Sequence, residues 1–381
     1  MLAPRVVIHA TQYLTAEQKQ KPFYSVKRIF QEHWKSYAKT HMIRDIEKQE
    51  VEKMLACKEG GCFVCYCKEC NEYHFMQFGC NSRLCSPCGK RYTDAWAERL
   101  AGKVAKGIVH RHLVFTLPSL LWQFIKDNRQ LQQTISEAAH RTITLRFSRM
   151  KKQALMPGVI AVVHPFGKDL GFKPHVHSIV TEGGFTNDGR FIGIGSYINY
   201  DALHREWQHT ILKALRKHVP QEVIDLCYRK YADGFCAYVK PERITSHKRL
   251  AQYIGRYVRH PAIANSRINL YNGEAVRFSY QNHEGRNVQK VMLAHDFIGS
   301  VVQHIPEKQF RLVRYFGAYA RRKKAVIKAF IKQSTVIQET LTSFTKKREF
   351  LCPKCHALME IVLYCEKPPP KDMSKISNWL C

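Results

Sequence analysis

The sequence predicts an α+β protein: an antiparallel sheet carrying helices, preceded by a small zinc-binding module and followed by a basic helical region. Three observations carry that expectation. Short runs of β-formers alternate with long amphipathic stretches. Eight of the fourteen cysteines fall between Cys57 and Cys88, with repeated CxxC spacing. Lys and Arg number 61 against 31 Asp and Glu, giving a net charge of +30.

The elements follow in order. Lys27 to Tyr37 and Ile43 to Leu55 carry apolar residues at helical spacing, so 1–50 reads as an N-terminal helical region. Residues 51–95 form the expected zinc module, dense in Cys, Gly and Asn between 57 and 90. A helical pattern resumes from Asp94 to Ala105. A larger domain built around the sheet is expected over 105–300. It opens with the strand His112-Leu-Val-Phe-Thr-Leu-Pro118, which proline stops, and a helical stretch follows from Leu120 to Met150. Gly158 to His164 and His175 to Thr181 are two more strands. The connection between them is about ten residues, too short for a parallel crossover, so they pair antiparallel. Tyr200 to His218 is an amphipathic helix, and Ala237 to Lys240 a short strand ended by Pro241. His247 to Arg259 is a helix ended by Pro261; Phe278 to Tyr280 and Lys290 to Leu293 are short strands. Residues 301–350 form the basic region, with a helix over Lys308 to Gln333, and 351–381 a tail with one CxxC.

Composition narrows the function. With 45% hydrophobic and 24% charged residues the chain is globular, which excludes global disorder. The excess positive charge calls for a polyanion, and nucleic acid is the natural one. No apolar run approaches the roughly 20 residues that span a bilayer. Met1 to Thr15 lacks the pattern of a signal peptide, so no membrane partner is expected. Clustered cysteines in a reducing compartment then mean metal rather than disulfides.

Cys67-x2-Cys70 is followed, after fourteen intervening residues, by Cys85-x2-Cys88. Each knuckle aims two thiolates at one ion, so these four are expected to share one tetrahedral, structural Zn²⁺. Cys57 and Cys80 are left for a second ion completed by Cys62, Cys65 or His74, or for service as small buried hydrophobes. Arg83, Lys90 and Arg91 stand beside the knuckles as phosphate contacts. Cys352-x2-Cys355, with His356 and Cys365 nearby, reads as half of a second ribbon.

His175-Val-His177 puts two imidazoles on one face of a strand, a common way to hold a divalent ion. Tyr253-Ile-Gly-Arg-Tyr257 puts two phenols on one face of a helix, with Arg256 and Arg259 beside them. A tyrosine hydroxyl can attack a phosphodiester that a metal polarises. The bland alternatives are incidental histidines and tyrosines of an amphipathic core.

These segments, with Phe172-Lys-Pro-His-Val-His177 and Tyr253-Ile-Gly-Arg-Tyr-Val-Arg-His-Pro-Ala-Ile-Ala264, occur in the order that resembles two-tyrosine HUH transposases of rolling-circle bacterial insertion sequences. Phe78-Gly-Cys-Asn-Ser-Arg-Leu-Cys-Ser-Pro-Cys88 resembles the zinc-binding domain of that family, and Phe310 to Arg321 its C-terminal signature. The likeness runs over about residues 30 to 325. It implies an HUH-type antiparallel sheet, with Mg²⁺ or Mn²⁺ on His175 and His177. Tyr253 and Tyr257 would be nucleophiles that form 5′-phosphotyrosine links to single-stranded DNA at element ends and target, in a bacterial, nucleoid-associated cytoplasmic protein. Many relatives carry a further His where this chain has Lys173, which leaves Lys173 as a phosphate contact. A third metal ligand is expected from His164 or Gln252, although His164 reads more simply as a structural histidine. Arg311, Arg314, Arg321 and Arg322, interleaved with Phe310, Tyr315, Phe316 and Tyr319, are candidate DNA contacts. A replication initiator or relaxase-type nickase would share this chemistry, whereas a zinc-dependent regulator would not need the tyrosines.

Overall fold

The computed structural model describes residues 24–366 apart from 58, 102–103, 105–106, 196–197, 247–248, 251–254, 256–260, 283 and 324–350. Helix α1 (Val26–Thr40) starts where the Ser25 side chain accepts the Arg28 N–H, and it buries Val26, Ile29, Phe30, Trp34 and Tyr37 along one stripe. Helix α2 (Asp45–Leu55) has Asp45 and Glu47 in its first turn, favourable at the positive end of the helix dipole. Both lie on a meander formed far along the chain: β9 (Ile268–Tyr271), β10 (Ala275–Gln281) and β11 (Asn287–Leu293), followed by helix α8 (Ala294–Val302). Phe30, Val51 and Met54 share one core with Phe278, Phe297 and Ile298. The N-terminal helices and residues 263–305 therefore share one core.

The cysteine-rich segment contains a hairpin, β1 (Cys62–Cys67) and β2 (Glu72–Gln77), and the tail strand β13 (Glu360–Cys365) adds to it in the order β13-β1-β2. Helix α3 (Ser86–Ala101) begins inside the second knuckle. The central sheet has five antiparallel strands in the order β12-β4-β5-β3-β8: β3 (His110–Thr116), β4 (Gly158–Phe166), β5 (Phe172–Thr181), β8 (Ala237–Val239) and β12 (Val313–Gly317). The antiparallel β4–β5 pair matches its expected register class. Between β3 and β4 come α4 (Trp122–Asp127) and α5 (Leu131–Lys151). Between β5 and β8 come the ribbon β6 (Gly183–Phe185) and β7 (Phe191–Gly193), then α6 (Tyr200–Leu215) and α7 (Gln221–Lys230).

Alternation sorts the two faces. Leu113, Phe115, Val159, Ala161, Val163, Val176 and Val180 point to one face and pack under α5, α6 and α7, with Trp207 and Ile211 at the centre. Ile160, Val162 and Ile179 point to the other, where Ala97 and Leu100 of α3, Leu250 and Tyr319 cover them.

The basic region departs from its expected helix. Residues 313–317 form β12 at the sheet edge beside β4, and 324–333 lie outside the described residues. The run Val-Arg-Tyr-Phe-Gly satisfies strand alternation as well as helical spacing, and pairing to β4 decides between them. Gly317 has φ +55 and faces Gly158 in register. A Cβ on Gly317 would sit 1.8 Å from the Pro157 carbonyl oxygen, so a side chain there is excluded.

Candidate metal centres

The central sheet gathers a histidine cluster on its second face. His175 and His177 alternate with Val176 on β5, and register places His164 of β4 directly across from His175. Nε2 of His175 lies 3.1 Å from Nε2 of His177 and 3.2 Å from Nδ1 of His164. One nitrogen from each ring thus falls within 4.8 Å of the others.

The far nitrogens are already committed. Nδ1–H of His175 donates to the Lys173 carbonyl at 2.6 Å, which leaves Nε2 as a lone-pair donor. Nδ1 of His177 lies 3.0 Å from Nε2 of His112 on β3, whose ring stacks at 5.1 Å. His112 is lowered to about 3, mainly by burial and then by Lys240 and His175. His177 is pushed well below the usual imidazole range by burial, then by His175, His164, His112 and Lys240. Neutral rings that converge their lone pairs need a cation between them, and a proton is disfavoured here. The donor set fits a divalent metal ion.

Among the expected ligands, His175 and His177 come together. His164, read more simply as structural, joins them. His112 was missed as a site residue: its partner is 65 positions away, and only strand pairing reveals it.

Tyr253, Tyr257, Arg256, Arg259 and Gln252 lie outside the described residues. Two neighbours of that segment are described. Leu250 is buried on the histidine face of the sheet with Ile160, Val162 and Ile179. Gly255 is helical and buried, and a Cβ added to it would lie 3.0 Å from Thr93 and 3.5 Å from Ala97, both on α3.

The cysteines form two quartets, and neither is the expected one. Cys85 and Cys88 meet Cys57 and Cys80, while Cys67 and Cys70 meet Cys352 and Cys355. The two expected knuckles part because Cys67 and Cys70 end the β1 strand and open its turn, whereas Cys85 and Cys88 start α3 against α2. In the first quartet Cys57 Sγ is 3.6 Å from Cys85 Sγ and 3.9 Å from Cys88 Sγ, and Cys80 Sγ is 3.7 Å from Cys88 Sγ. Tetrahedral Zn–S bonds of about 2.3 Å would set sulfur separations of about 3.8 Å, so the spacing suits zinc. The hydrogen bond from Cys80 pulls Cys85 below the usual thiol range, toward the thiolate that binds metal. Arg91, expected on phosphate, instead donates to the Cys88 sulfur at 3.4 Å, and Lys90 faces Asp94. Cys62 and Cys65 belong to neither quartet.

The basic candidates divide. Lys173 pairs with Asp169 at 2.8 Å. Arg314 turns to the helical face of the sheet, bonding Glu137 of α5 at 2.6 Å and lying over Phe316, so it does not join the histidine face. Arg311, Arg321 and Arg322 are exposed.

Residues 29–117 match the family described as "Transposase zinc-binding domain", and residues 158–326 match the family described as "Putative transposase". The chain is 32% identical over 301 residues to the transposase for insertion sequence element IS801 of Pseudomonas savastanoi pv. phaseolicola, covering 74% of this chain and 72% of that one. It is 25% identical over 321 residues to "Putative transposase y4qJ" of Sinorhizobium fredii, covering 78% and 80%. No solved structure matches.

Proposed function

The chain belongs to this family of insertion-sequence transposases, and from that premise we propose that it cleaves and rejoins single-stranded DNA through 5′-phosphotyrosine links, in the bacterial cytoplasm. The observation that carries the reading is the convergence of three imidazole nitrogens on the sheet face where Leu250, three residues before Tyr253 in the sequence, is buried. DNA is the partner that a transposase implies, and the +30 charge suits it. No helix among the described residues is long and apolar enough to cross a membrane.

In this reading His164, His175 and His177 would hold Mn²⁺ or Mg²⁺, and of the two Mn²⁺ accepts imidazole donors more readily. The ion, when bound, would polarise the scissile phosphate and stabilise charge on the leaving oxygen. The protein supplies the rest. Tyr253 or Tyr257 gives its hydroxyl oxygen as nucleophile, forming the bond to phosphorus as the bond to the 3′-oxygen breaks. That oxygen leaves as a 3′-hydroxyl. The 3′-hydroxyl of another strand then attacks the phosphotyrosine, which restores a phosphodiester and frees the tyrosine. Because the link conserves the bond energy, joining needs no nucleoside triphosphate. Two tyrosines let the enzyme hold donor and target strands in succession. His112 holds the His177 ring in place, and Lys240 is a nearby cation for the DNA backbone.

The test is incubation of the protein with single-stranded oligonucleotides of element ends and Mn²⁺, followed by denaturing electrophoresis. A covalent protein–DNA adduct is expected, and the Tyr253→Phe/Tyr257→Phe double variant should lose it. Cleavage that persists in the double variant would overturn the proposal.

A further inference from the structure

We propose a second structural zinc ion, bound by Cys67, Cys70, Cys352 and Cys355, that clasps the C-terminal tail onto the N-terminal module as the closing half of a ribbon. The two cysteine pairs stand 282 residues apart or more along the chain, yet Cys67 Sγ lies 3.5 Å from Cys355 Sγ and Cys70 Sγ lies 3.8 Å from Cys352 Sγ. Those separations match the edge of a tetrahedral four-thiolate site, about 3.8 Å for Zn–S bonds of about 2.3 Å.

The two knuckles are also alike in backbone. The residue after the second cysteine is left-handed in both, Asn71 at φ 54 and His356 at φ 59. The Cys352 sulfur accepts the Lys354 N–H at 3.4 Å, and His74 Nε2 lies 3.5 Å from the same sulfur. These contacts suit a sulfur carrying negative charge.

The surrounding fold is incomplete without a clasp. Strand β13 pairs with β1 from Cys62↔Cys365 to Tyr66↔Glu360, and the ion pairs Lys68–Glu360 and Lys354–Glu72 also tie the tail to the β1–β2 hairpin. The core beneath them is small: Cys65, Cys67, Cys352 and Met359, with Phe63, Cys70, Met76 and Ala357 at its edge. Exposed Ile361, Val362, Leu363 and Tyr364 leave β13 little burial of its own. A bound metal supplies the folding energy such a core lacks. Residues 352–365 also lie beyond both family matches, which end at 117 and 326, so the clasp adds to the domain they cover.

The test is metal content by mass spectrometry of full-length protein purified under reducing conditions. Two zinc ions per chain are expected. Cys352→Ser/Cys355→Ser should lower this to one, and so should Cys67→Ser/Cys70→Ser. The variant with all four substitutions should also retain one, because both pairs serve the same ion. Trypsin should release the tail faster from the Cys352→Ser/Cys355→Ser protein than from wild type. A single ion in wild type, two ions left in the Cys352→Ser/Cys355→Ser protein, or disulfide masses at these cysteines would each overturn the clasp. DNA cleavage is not the readout, so failure here is separate from failure of the catalytic proposal.

Discussion

At the scale of single residues, a partner group sets the orientation of each β5 ring in the histidine cluster. His175 is set by a backbone carbonyl and His177 by His112, so each presents one nitrogen in a fixed direction. His112→Ala should therefore weaken Mn²⁺ binding by about 10- to 100-fold, the usual cost of removing an orienting partner. Isothermal titration on folded protein measures it, and an unchanged affinity would remove His112 from the site. His164→Ala should weaken binding at least as much, since it takes away a donor nitrogen. His175 and His177 were legible in the sequence because period-two spacing is local. His164 was legible as a candidate through the expected antiparallel pairing of its strand with that of His175, whereas His112 was not, because only the pairing of β3 with β5 brings it near.

At the scale of elements, β12 shows tertiary pairing overriding local spacing. Its Gly317 is held at positive φ against the Pro157 carbonyl. Gly317→Ala should cost on the order of 1–3 kcal/mol from backbone strain alone, before the clash is counted. A fall in the urea midpoint with unaltered zinc content is the expected result; no change would mean that the strand end can move away. At the other end of the chain Ser25→Ala should cost α1 about 1 kcal/mol, the worth of a lost helix cap. The hairpin β1–β2 was not expected, since the Cys-Phe-Val-Cys-Tyr-Cys run breaks strand alternation between Val64 and Cys65, both buried, where the register with β13 also shifts.

At the scale of the molecule, charge and buried histidines set the response to solution conditions. Burial lowers His110 and His304 to about 4, so both stay neutral in the fold. An unfolded chain protonates them near 6.5, and it therefore binds more protons than the fold between those values. Stability is unaffected above the unfolded value and falls as pH drops from 6.5 toward 4. The two together should remove about 2–3 kcal/mol between pH 7 and 5.5. Urea titrations at the two pH values check this, and His304→Gln should flatten the dependence. Binding of single-stranded DNA should weaken steeply with salt. A slope of log K against log salt of roughly −4 corresponds to about six neutralised phosphates.

The sequence by itself determined the chemistry available: thiolate knuckles, paired imidazoles, paired phenols, excess cations and strands in a given order. Each is a local feature, carried by spacing within a few residues. The tertiary structure alone decided which of these meet. It separated the knuckles of Cys67 and Cys85, joined one to the far tail, and moved Arg314 to the opposite face of the sheet from His175. It also drew the N-terminal helices onto the meander near the other end. Partner choice across hundreds of residues depends on strand register and shared burial, and no local pattern encodes either.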